Sequence, residues 1–438
     1  MKRSEKIKEF FRTSSPAVKT SLVIMGAGHF RYGAPGKGIL YLLVEISMIW
    51  YLIQRGFKDI AGFFTLGTQE ADAWAGIEGD NSIIMLLMGI FAWIVVGVFI
   101  YIYVQNLKGA YEMQHRYESG IPQKPLKENL KELLDRKFYV LALALPVIGV
   151  CIFNVLPIVF MILIAFTNYG GDTVPPALVD WVGMDNFRKL IVLKKFGPTF
   201  AKILGWNLLW AVMSTALNYF AGLVLALLLN KDCVKGKNFW RAFPILAYAI
   251  PGFITLLAFK FMFSYGGPIN QFNVAHLGFA IGFLDIDAKW SARIIGLLVN
   301  CWISVPSIML LATGILSNRD MSLYEAAEID GANKRKQFAK LTLPYMLFTT
   351  MPVLLSQFIG NFNNFGIFYF LRGGLYKDGY FLASDTDLLI NWLYNLSIDN
   401  NYYSIGAAIS LVIFLITSAI SLVVYVKSPS YREEDTFQ

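Results

Sequence analysis

Long apolar runs alternate with short charged segments along the whole chain. Eight runs approach the ~20 residues that a helix needs to cross a hydrocarbon core about 30 Å thick. They are residues 36–54, 82–104, 138–167, 199–229, 240–263, 292–317, 346–371 and 405–426. The pattern therefore predicts an all-α polytopic membrane protein with eight transmembrane helices.

Composition supports a membrane environment. Hydrophobic residues make up 56% of the 438 residues, charged residues make up 16%, and the mean hydropathy is +0.52. A soluble domain is roughly 45–50% apolar and about 25% charged. Only Cys151, Cys233 and Cys301 are present, far apart, so a disulfide scaffold is excluded.

The positive charge follows the membrane topology. If the N-terminus is cytoplasmic, most of the 38 Lys and Arg residues fall in cytoplasmic segments and few fall in the outer loops. This bias predicts that both termini are cytoplasmic, and it explains the net charge of +8 without a nucleic-acid partner. We expect residues 1–130 to form a cytoplasmic segment, two spans and a linker within 105–137, and residues 131–438 to form a six-helix core.

The chain lacks the usual motifs of enzymes. Its three His residues have no zinc-binding spacing, and neither a GxSxG elbow nor a phosphate-binding loop is present. We therefore expect no catalytic residue, metal or cofactor in this chain. Glu45 lies within the first apolar run, where a polar contact inside the helical hairpin is favoured over a role in proton coupling.

The segment between the sixth and seventh runs has an unusual local pattern. Ser322 and Glu325 have capping-box spacing, which predicts the start of a short helix. Ala326 and Ala327 would let another surface approach that helix closely, and Gly331 would end it in a turn. A second helix should follow and lie flat at the membrane surface. On the pattern alone, a basic loop that only anchors two spans is an equal alternative.

Polar residues also recur at helical spacing on three successive runs. The sets are Tyr248, Gly252 and Thr255; Asn300, Ser304 and Ser307; and Gln357, Asn361 and Asn364. Neutral hydrogen-bonding groups beside aromatic rings suit a sugar, which has hydroxyl edges and apolar faces. The alternative is that these residues bond one helix to another within the membrane.

Several motifs resemble one family of membrane proteins. Glu325-Ala326-Ala327, Asp330-Gly331-Ala332, Phe338 and Leu341-x-Leu343-Pro344 resemble the EAA loop of binding-protein-dependent ABC importer permeases. Residues 244–251, 300–302 and 361–365 are similar to MalF-like sugar permeases, and the resemblance covers roughly residues 138–427. The short loop 168–198 resembles the maltodextrin and galacto-oligosaccharide permeases of Gram-positive bacteria.

The resemblance implies a fold, a set of partners and two groups of site residues. It implies a type I ABC importer core with a cytoplasmic coupling loop at 321–345, where Glu325, Ala326, Ala327, Asp330 and Gly331 contact the ATPase. It implies a second, MalG-like permease, two copies of a cytoplasmic ABC ATPase that bind ATP and Mg, and an extracellular solute-binding protein. The implied sugar contacts are Tyr248, Gly252, Asn300, Ile303, Ser304, Ser307, Asn361 and Asn364.

The function expected from these observations is an ATP-driven importer permease for oligosaccharides in a bacterial plasma membrane. Maltose and maltodextrins are the favoured substrates, and galacto-oligosaccharides or another neutral glycoside are the alternative. An ion-coupled secondary transporter is a further alternative. It would predict paired membrane carboxylates or a half-sequence repeat, and the sequence shows neither.

Overall fold

A computed structural model describes residues 12–72, 74–121, 131, 134–136, 138–193, 195–231 and 233–427. These residues form helices joined by turns, with isolated bridges and no strand among them. Among the described residues, seven helices are long and apolar enough to cross a membrane, and the number is eight when the one bent pair is counted as a span. The prediction of an all-α protein with eight spans is therefore confirmed. Residues 122–130 of the predicted linker lie outside the described residues.

Residues Met1–Gly183 form the first of two compact units. Its helices are α1 Pro16–Thr20, α2 Ala27–Arg31, α3 Pro35–Tyr51, α4 Phe57–Thr65, α5 Ser82–Glu118, α6 Phe138–Val150 and α7 Leu156–Ile164. Short π-helical turns join α3 to α4 and α6 to α7, so each pair makes one continuous span. Within this unit α4 packs along α5, and α7 also contacts α5.

The segment before the first span is fixed by buried polar contacts. The Gly26 N–H donates to Asn106 Oδ1 on α5 at 3.0 Å, and the Met25 N–H donates to Glu45 Oε2 on α3 at 2.9 Å. Glu45 thus makes a polar contact, but its partner lies in the segment before the first span and not in the second helix of the hairpin. His29 on α2 is buried, and this burial, with the positive charge of Lys37, lowers its pKa to about 4.

Residues Met184–Gln438 form the second unit. Its helices are α8 Asp185–Val192, α9 Gly197–Asn230, α10 Lys237–Ala249, α11 Gly252–Met262, α12 Pro268–Leu277, α13 Lys289–Ser317, α14 Met321–Ile329, α15 Lys334–Gln337, α16 Leu343–Phe362, α17 Gly366–Arg372, α18 Leu389–Tyr394 and α19 Tyr403–Lys427. Further π-helical turns lie at Phe338–Thr342 and Asn395–Asp399. The division into domains 1–130 and 131–438 stays a prediction.

The core of the second unit is built on the close packing of α9 against α13. A Cβ atom at Gly222 of α9 would lie 2.6 Å from the Cβ of Ile308 on α13, so only glycine allows this approach. At one end of the same helix pair, Trp206 and Trp210 pack against Phe368 of α17, with ring centroids 6.2 and 5.0 Å away. These contacts position α9, α13 and α17 relative to one another.

The fifth span is broken. Helices α10 and α11 meet at an angle of 92° around Ile250 and Pro251. Pro251 disfavours helical geometry in the preceding residue, and Ile250 is extended with φ −80° and ψ 132°. The prediction that Tyr248, Gly252 and Thr255 share one helical face is therefore wrong, because the bend separates the first from the other two.

Candidate functional site

A cavity of about 460 Å³ lies among the helices of the second unit; we call it the central cavity. Helices α11, α13, α16 and α17 and the break between α16 and α17 form its walls. Its lining residues are Gly252, Phe253, Leu256, Asn300, Ile303, Ser304, Gln357, Gly360, Asn361, Asn364, Gly366, Ile367 and Phe370. None of them is charged, so the cavity offers amides, one hydroxyl, backbone and apolar surface.

Most of the sugar-binding residues predicted from the sequence meet in this cavity. Gly252, Asn300, Ile303, Ser304, Asn361 and Asn364 all line it. Tyr248 is 59% exposed on the far side of the bend and is not among the lining residues. Ser307 is not among them either, and its hydroxyl donates to the carbonyl of Ser304 at 2.8 Å. The structure therefore brings together six of the eight residues.

Three asparagines of the cavity bond to one another. Asn364 Nδ2 donates to Asn300 Oδ1, and Asn300 Nδ2 donates to Asn361 Oδ1, both at 3.2 Å. Asn361 Nδ2 in turn donates to Thr215 Oγ1 on α9 at 3.0 Å. These hydrogen bonds connect α9, α13 and α16. The asparagines therefore bond one helix to another and also line the cavity.

Gln357 is a cavity residue that the sequence placed on a polar face but not in the site. Its Oε1 atom is buried, and no group that the structure describes donates a hydrogen bond to it. A buried acceptor without a partner costs free energy until a ligand or water supplies a donor. Gln357 is therefore better placed than the paired asparagines to bind an entering hydroxyl group.

The aromatic side of the cavity was also missed from the sequence. Phe253 of α11 and Phe370 of α17 both line it, with ring centroids 6.3 Å apart. Aromatic faces of this kind suit the apolar faces of a pyranose ring. Phe370 could not be found from helical spacing, because α17 is a separate helix after the break at residues 363–365.

A second site follows the C-terminal end of α13, in the segment 321–345, which we call the coupling segment. Helix α14 begins after Asp320, whose side chain accepts the Ser322 N–H at 2.9 Å. The predicted capping box of Ser322 and Glu325 is therefore wrong: Asp320 is the N-cap, and the helix starts two residues earlier than that pattern predicts. Hydrogen bonds from Ser322 lower the pKa of the Asp320 carboxyl group.

The predicted turn is confirmed, whereas the second arm differs from expectation. Gly331 has φ +77°, a conformation that favours glycine, and Asn333 caps α15 by accepting the Lys336 N–H. The chain then runs from α15 through the π-helical turn directly into α16. The Leu343 N–H donates to the Phe338 carbonyl in that turn, so the helix continues although Pro344 has no N–H to donate.

One face of helix α14 contacts neighbouring residues, and its other face is exposed in the part of the chain that the structure describes. The Tyr324 hydroxyl lies 3.0 Å from Thr342 Oγ1, and the Arg319 guanidinium lies 4.7 Å from the Tyr324 ring. Leu323 and Ile329 are 58% and 87% exposed. Glu325, Ala326 and Asp330 are also exposed, and Ala327 is half-buried.

A cleft of about 720 Å³ borders the same segment. The ends of α9 and α13 and the residues of α14 and α15 line it, including Glu325, Glu328 and Lys334. Glu328 and Lys334 form an exposed ion pair of 3.6 Å across the Gly331 turn. Within the part of the chain that the structure describes, no cluster of His, Cys, Asp and Glu could hold a metal ion.

Comparison with known proteins gives consistent matches. Residues 218–428 match the family described as "Binding-protein-dependent transport system inner membrane component". The chain is 33% identical over 424 residues to the maltodextrin transport system permease protein MalC of Streptococcus pneumoniae serotype 4, which covers 94% of this chain and 96% of MalC. It is 33% identical over 418 residues to the galactooligosaccharides transport system permease protein GanP of Bacillus subtilis, with coverage of 94% and 97%.

A solved structure supports the fold. A bacterial ABC transporter involved in the import of the acidic polysaccharide alginate matches 68% of this chain and 96% of its own, with a TM-score of 0.54 and 22% identity. The alignments with MalC and GanP extend over nearly the whole length of each protein. This chain therefore belongs to the family of binding-protein-dependent transport system inner membrane components, the permease subunits of ABC importers.

Proposed function

We propose that this chain forms the sugar path of an ATP-driven importer for neutral oligosaccharides, with maltodextrins as the main substrates. The central cavity carries the proposal: its amides, the Ser304 hydroxyl and two phenylalanine rings match the hydroxyl edges and apolar faces of a sugar. No lining residue offers a charge to an ionic substrate. Its volume of about 460 Å³ falls in the usual range for small-molecule sites.

Galacto-oligosaccharides are the second candidate. The chain is as similar to a galacto-oligosaccharide permease as to a maltodextrin permease, at 33% identity in each case. Both substrates are neutral glycosides, and the same cavity chemistry suits both. An ion-coupled mechanism is not favoured, because the family to which the chain belongs works with a binding protein and an ATPase.

The experiment that tests this proposal is an uptake panel. The assembled importer, with its ATPase and binding protein, is offered maltodextrins, galacto-oligosaccharides and an acidic oligosaccharide. We expect uptake of the neutral α-glucosides and none of the acidic sugar. Uptake of galacto-oligosaccharides alone would support the second candidate, and uptake of the acidic sugar alone would contradict both.

A matched pair of variants links the uptake to the central cavity. Ser304→Trp places a large ring in the cavity and should abolish uptake of every panel sugar in an assembled complex. Leu298→Trp places the same ring on the same helix at a residue that is 62% exposed, and uptake should remain. Equal uptake by both variants would contradict a sugar path through this cavity.

The coupling segment supplies the proposed link to ATP. Exposed Leu323 and Ile329, beside Glu325 and the two alanines, give a short helix with an apolar and acidic surface that suits docking into a protein cleft. We place this helix in the cytoplasm, with both termini on the same side of the membrane. ATP and Mg would be bound by two ATPase copies, and a second, MalG-like permease would complete the path.

Transport then follows from alternating access. ATP binding closes the ATPase pair, α14 moves with it, and the spans open toward the extracellular binding protein. Hydrolysis resets the inward-facing state. The sugar must bind the two states with different affinity, because a ligand with equal affinity for both states shifts no equilibrium. The continuous path from α15 into α16 gives α14 a direct mechanical connection to the cavity wall that carries Gln357.

A further inference from the structure

Helix α17 forms one wall of the central cavity but is too short to hold its own position. It has seven residues, and isolated helices of fewer than about 12 residues are marginal. It contributes Gly366, Ile367 and Phe370 to the cavity. The break at residues 363–365 also separates it from α16, so contacts from elsewhere in the fold must fix its orientation.

The last residue of α17, Arg372, makes an exceptional set of such contacts. Its side chain is fully buried. Nε donates to the carbonyl of Leu284 at 3.1 Å, and Nη2 donates to the carbonyls of Asp285 and Ile286. These carbonyls lie in the loop that precedes α13. One edge of the guanidinium group therefore bonds to three consecutive carbonyl groups of this loop.

The other edge of the guanidinium holds a second loop. Nη1 donates to Asp385 Oδ1 at 3.1 Å and to Thr386 Oγ1 at 2.8 Å, in the loop between α17 and α18. Lys377 also donates to Asp385, at 2.8 Å, and this bond raises the Lys377 pKa. The planar fork of an arginine can satisfy all these acceptors at once, whereas a lysine ammonium group has three donors on one atom.

The two loops lie at the end of α13 opposite the coupling segment. Helix α13 has 29 residues, and at about 1.5 Å per residue its ends are roughly 43 Å apart. With α14 in the cytoplasm, Arg372 therefore lies at the outer side. The buried cluster joins the wall of the central cavity to two outer loops.

We propose that Arg372 is a positioning residue for the sugar site: by fastening α17 to both outer loops, it holds Ile367 and Phe370 against the bound sugar. This inference rests on the proposed function. The competing explanation is that packing of Phe368 and Leu371 against Trp206 and Trp210 fixes α17 alone and that Arg372 only stabilises the fold. A displaced wall would weaken sugar binding in the outward-facing state, so ATP would be hydrolysed without transport.

The test is the number of sugar molecules imported per ATP hydrolysed by the assembled importer in liposomes, because this ratio does not depend on how much complex folds. Arg372→Lys keeps the charge but loses most of the donors, and Asp385→Asn keeps one acceptor but loses the charge. We expect the ratio to fall at least about fivefold in both, the lower end of coupling between two sites. Lys202→Met is the control: Lys202 donates to Gly379 in the same outer loop at 3.1 Å and has no described bond to α17, so its ratio should be unchanged.

The outcomes separate this inference from the proposed function. The wild-type complex identifies which panel sugar is accepted, and the variants are compared with it on that sugar, whether it is a maltodextrin or another glycoside. An unchanged ratio in Arg372→Lys or in Asp385→Asn would overturn the positioning role. So would loss of assembled complex in both variants with a normal Lys202→Met complex, because that result shows a folding role.

Discussion

At the scale of single residues, the polar groups of the central cavity divide into two kinds. Asn300, Asn361 and Asn364 are bonded to one another, so they hold helices together as well as lining the cavity. Gln357 has a buried acceptor that no described group satisfies. Helical spacing placed Asn300 on the polar face of one run and the other three on the polar face of the next. It could not show which amides already have partners, because pairing depends on the approach of α9, α13 and α16.

The two kinds of amide should respond differently to substitution. Asn361→Leu leaves buried partners unpaired, and we expect the complex to lose about 1–3 kcal/mol of stability. Gln357→Leu removes no described bond to Oε1, so thermal unfolding should be little changed, while the apparent affinity for sugar falls about tenfold, equivalent to ~1.4 kcal/mol. Thermal unfolding and uptake kinetics of the purified complex measure both effects. Equal destabilisation by the two variants would refute the division.

Burial of His29 makes a prediction about pH. Because its pKa is lowered from 6.5 to about 4, the unfolded chain binds more protons than the folded chain between these values. Stability should therefore decrease as pH falls from 6.5 toward 4, by up to about 1.4 kcal/mol per pH unit from this group. Thermal unfolding of wild type and His29→Gln across this range measures the stability difference between them, which should change with pH below 6.5 and become constant above pH 7. Parallel curves for the two proteins would be inconsistent with a buried neutral imidazole.

At the scale of elements, most helices could be predicted from the sequence and their local interruptions could not. The eight apolar runs all correspond to spans, since each needs only enough apolar length. The 92° bend at Ile250 and Pro251 and the separate helix α17 come from backbone geometry and tertiary contacts that hydropathy does not encode. The two aromatic residues of the central cavity that the sequence analysis missed, Phe253 and Phe370, lie on these interrupted elements.

The turn of the coupling segment gives a prediction at the same scale. Gly331 has φ +77°, and its N–H donates to the Glu328 carbonyl at 3.0 Å. Proline cannot adopt this φ and has no N–H, so Gly331→Pro should abolish copurification of the ATPase while membrane insertion remains. Gly331→Ala is the matched control. Its Cβ meets no atom within 4 Å, so it should retain most binding despite a cost of about 1 kcal/mol for the left-handed backbone.

Pull-down of the ATPase on the tagged permease measures how well each of the two Gly331 variants binds the ATPase. Normal copurification with Gly331→Pro would show that the turn is not needed for docking. Loss of the permease from the membrane in both variants would show that the turn serves insertion instead, and it would contradict the coupling role.

At the scale of the whole molecule, the two sites lie at different depths of one helical framework. The central cavity has neutral polar and aromatic walls, and the coupling segment exposes a short helix at the end of α13. Helix α13 contributes to the cavity and ends next to α14, while α15 continues into α16. These two helices are the route by which the proposed movement of α14 would reach the cavity. The motif at 325–344 predicted a coupling loop from the sequence, and the structure shows that α15 continues into α16.

The proposed function requires that α14 docks on an ATPase in the cytoplasm. The most direct measurement is photo-crosslinking from position 327 in the assembled importer, because Ala327 lies at the proposed contact. We predict a covalent adduct with a P-loop ATPase from this position and none from position 185 on α8, which lies on the outer side in the proposed orientation. An adduct from position 185, or labelling of position 327 by a membrane-impermeant reagent from outside the cell, would contradict the account.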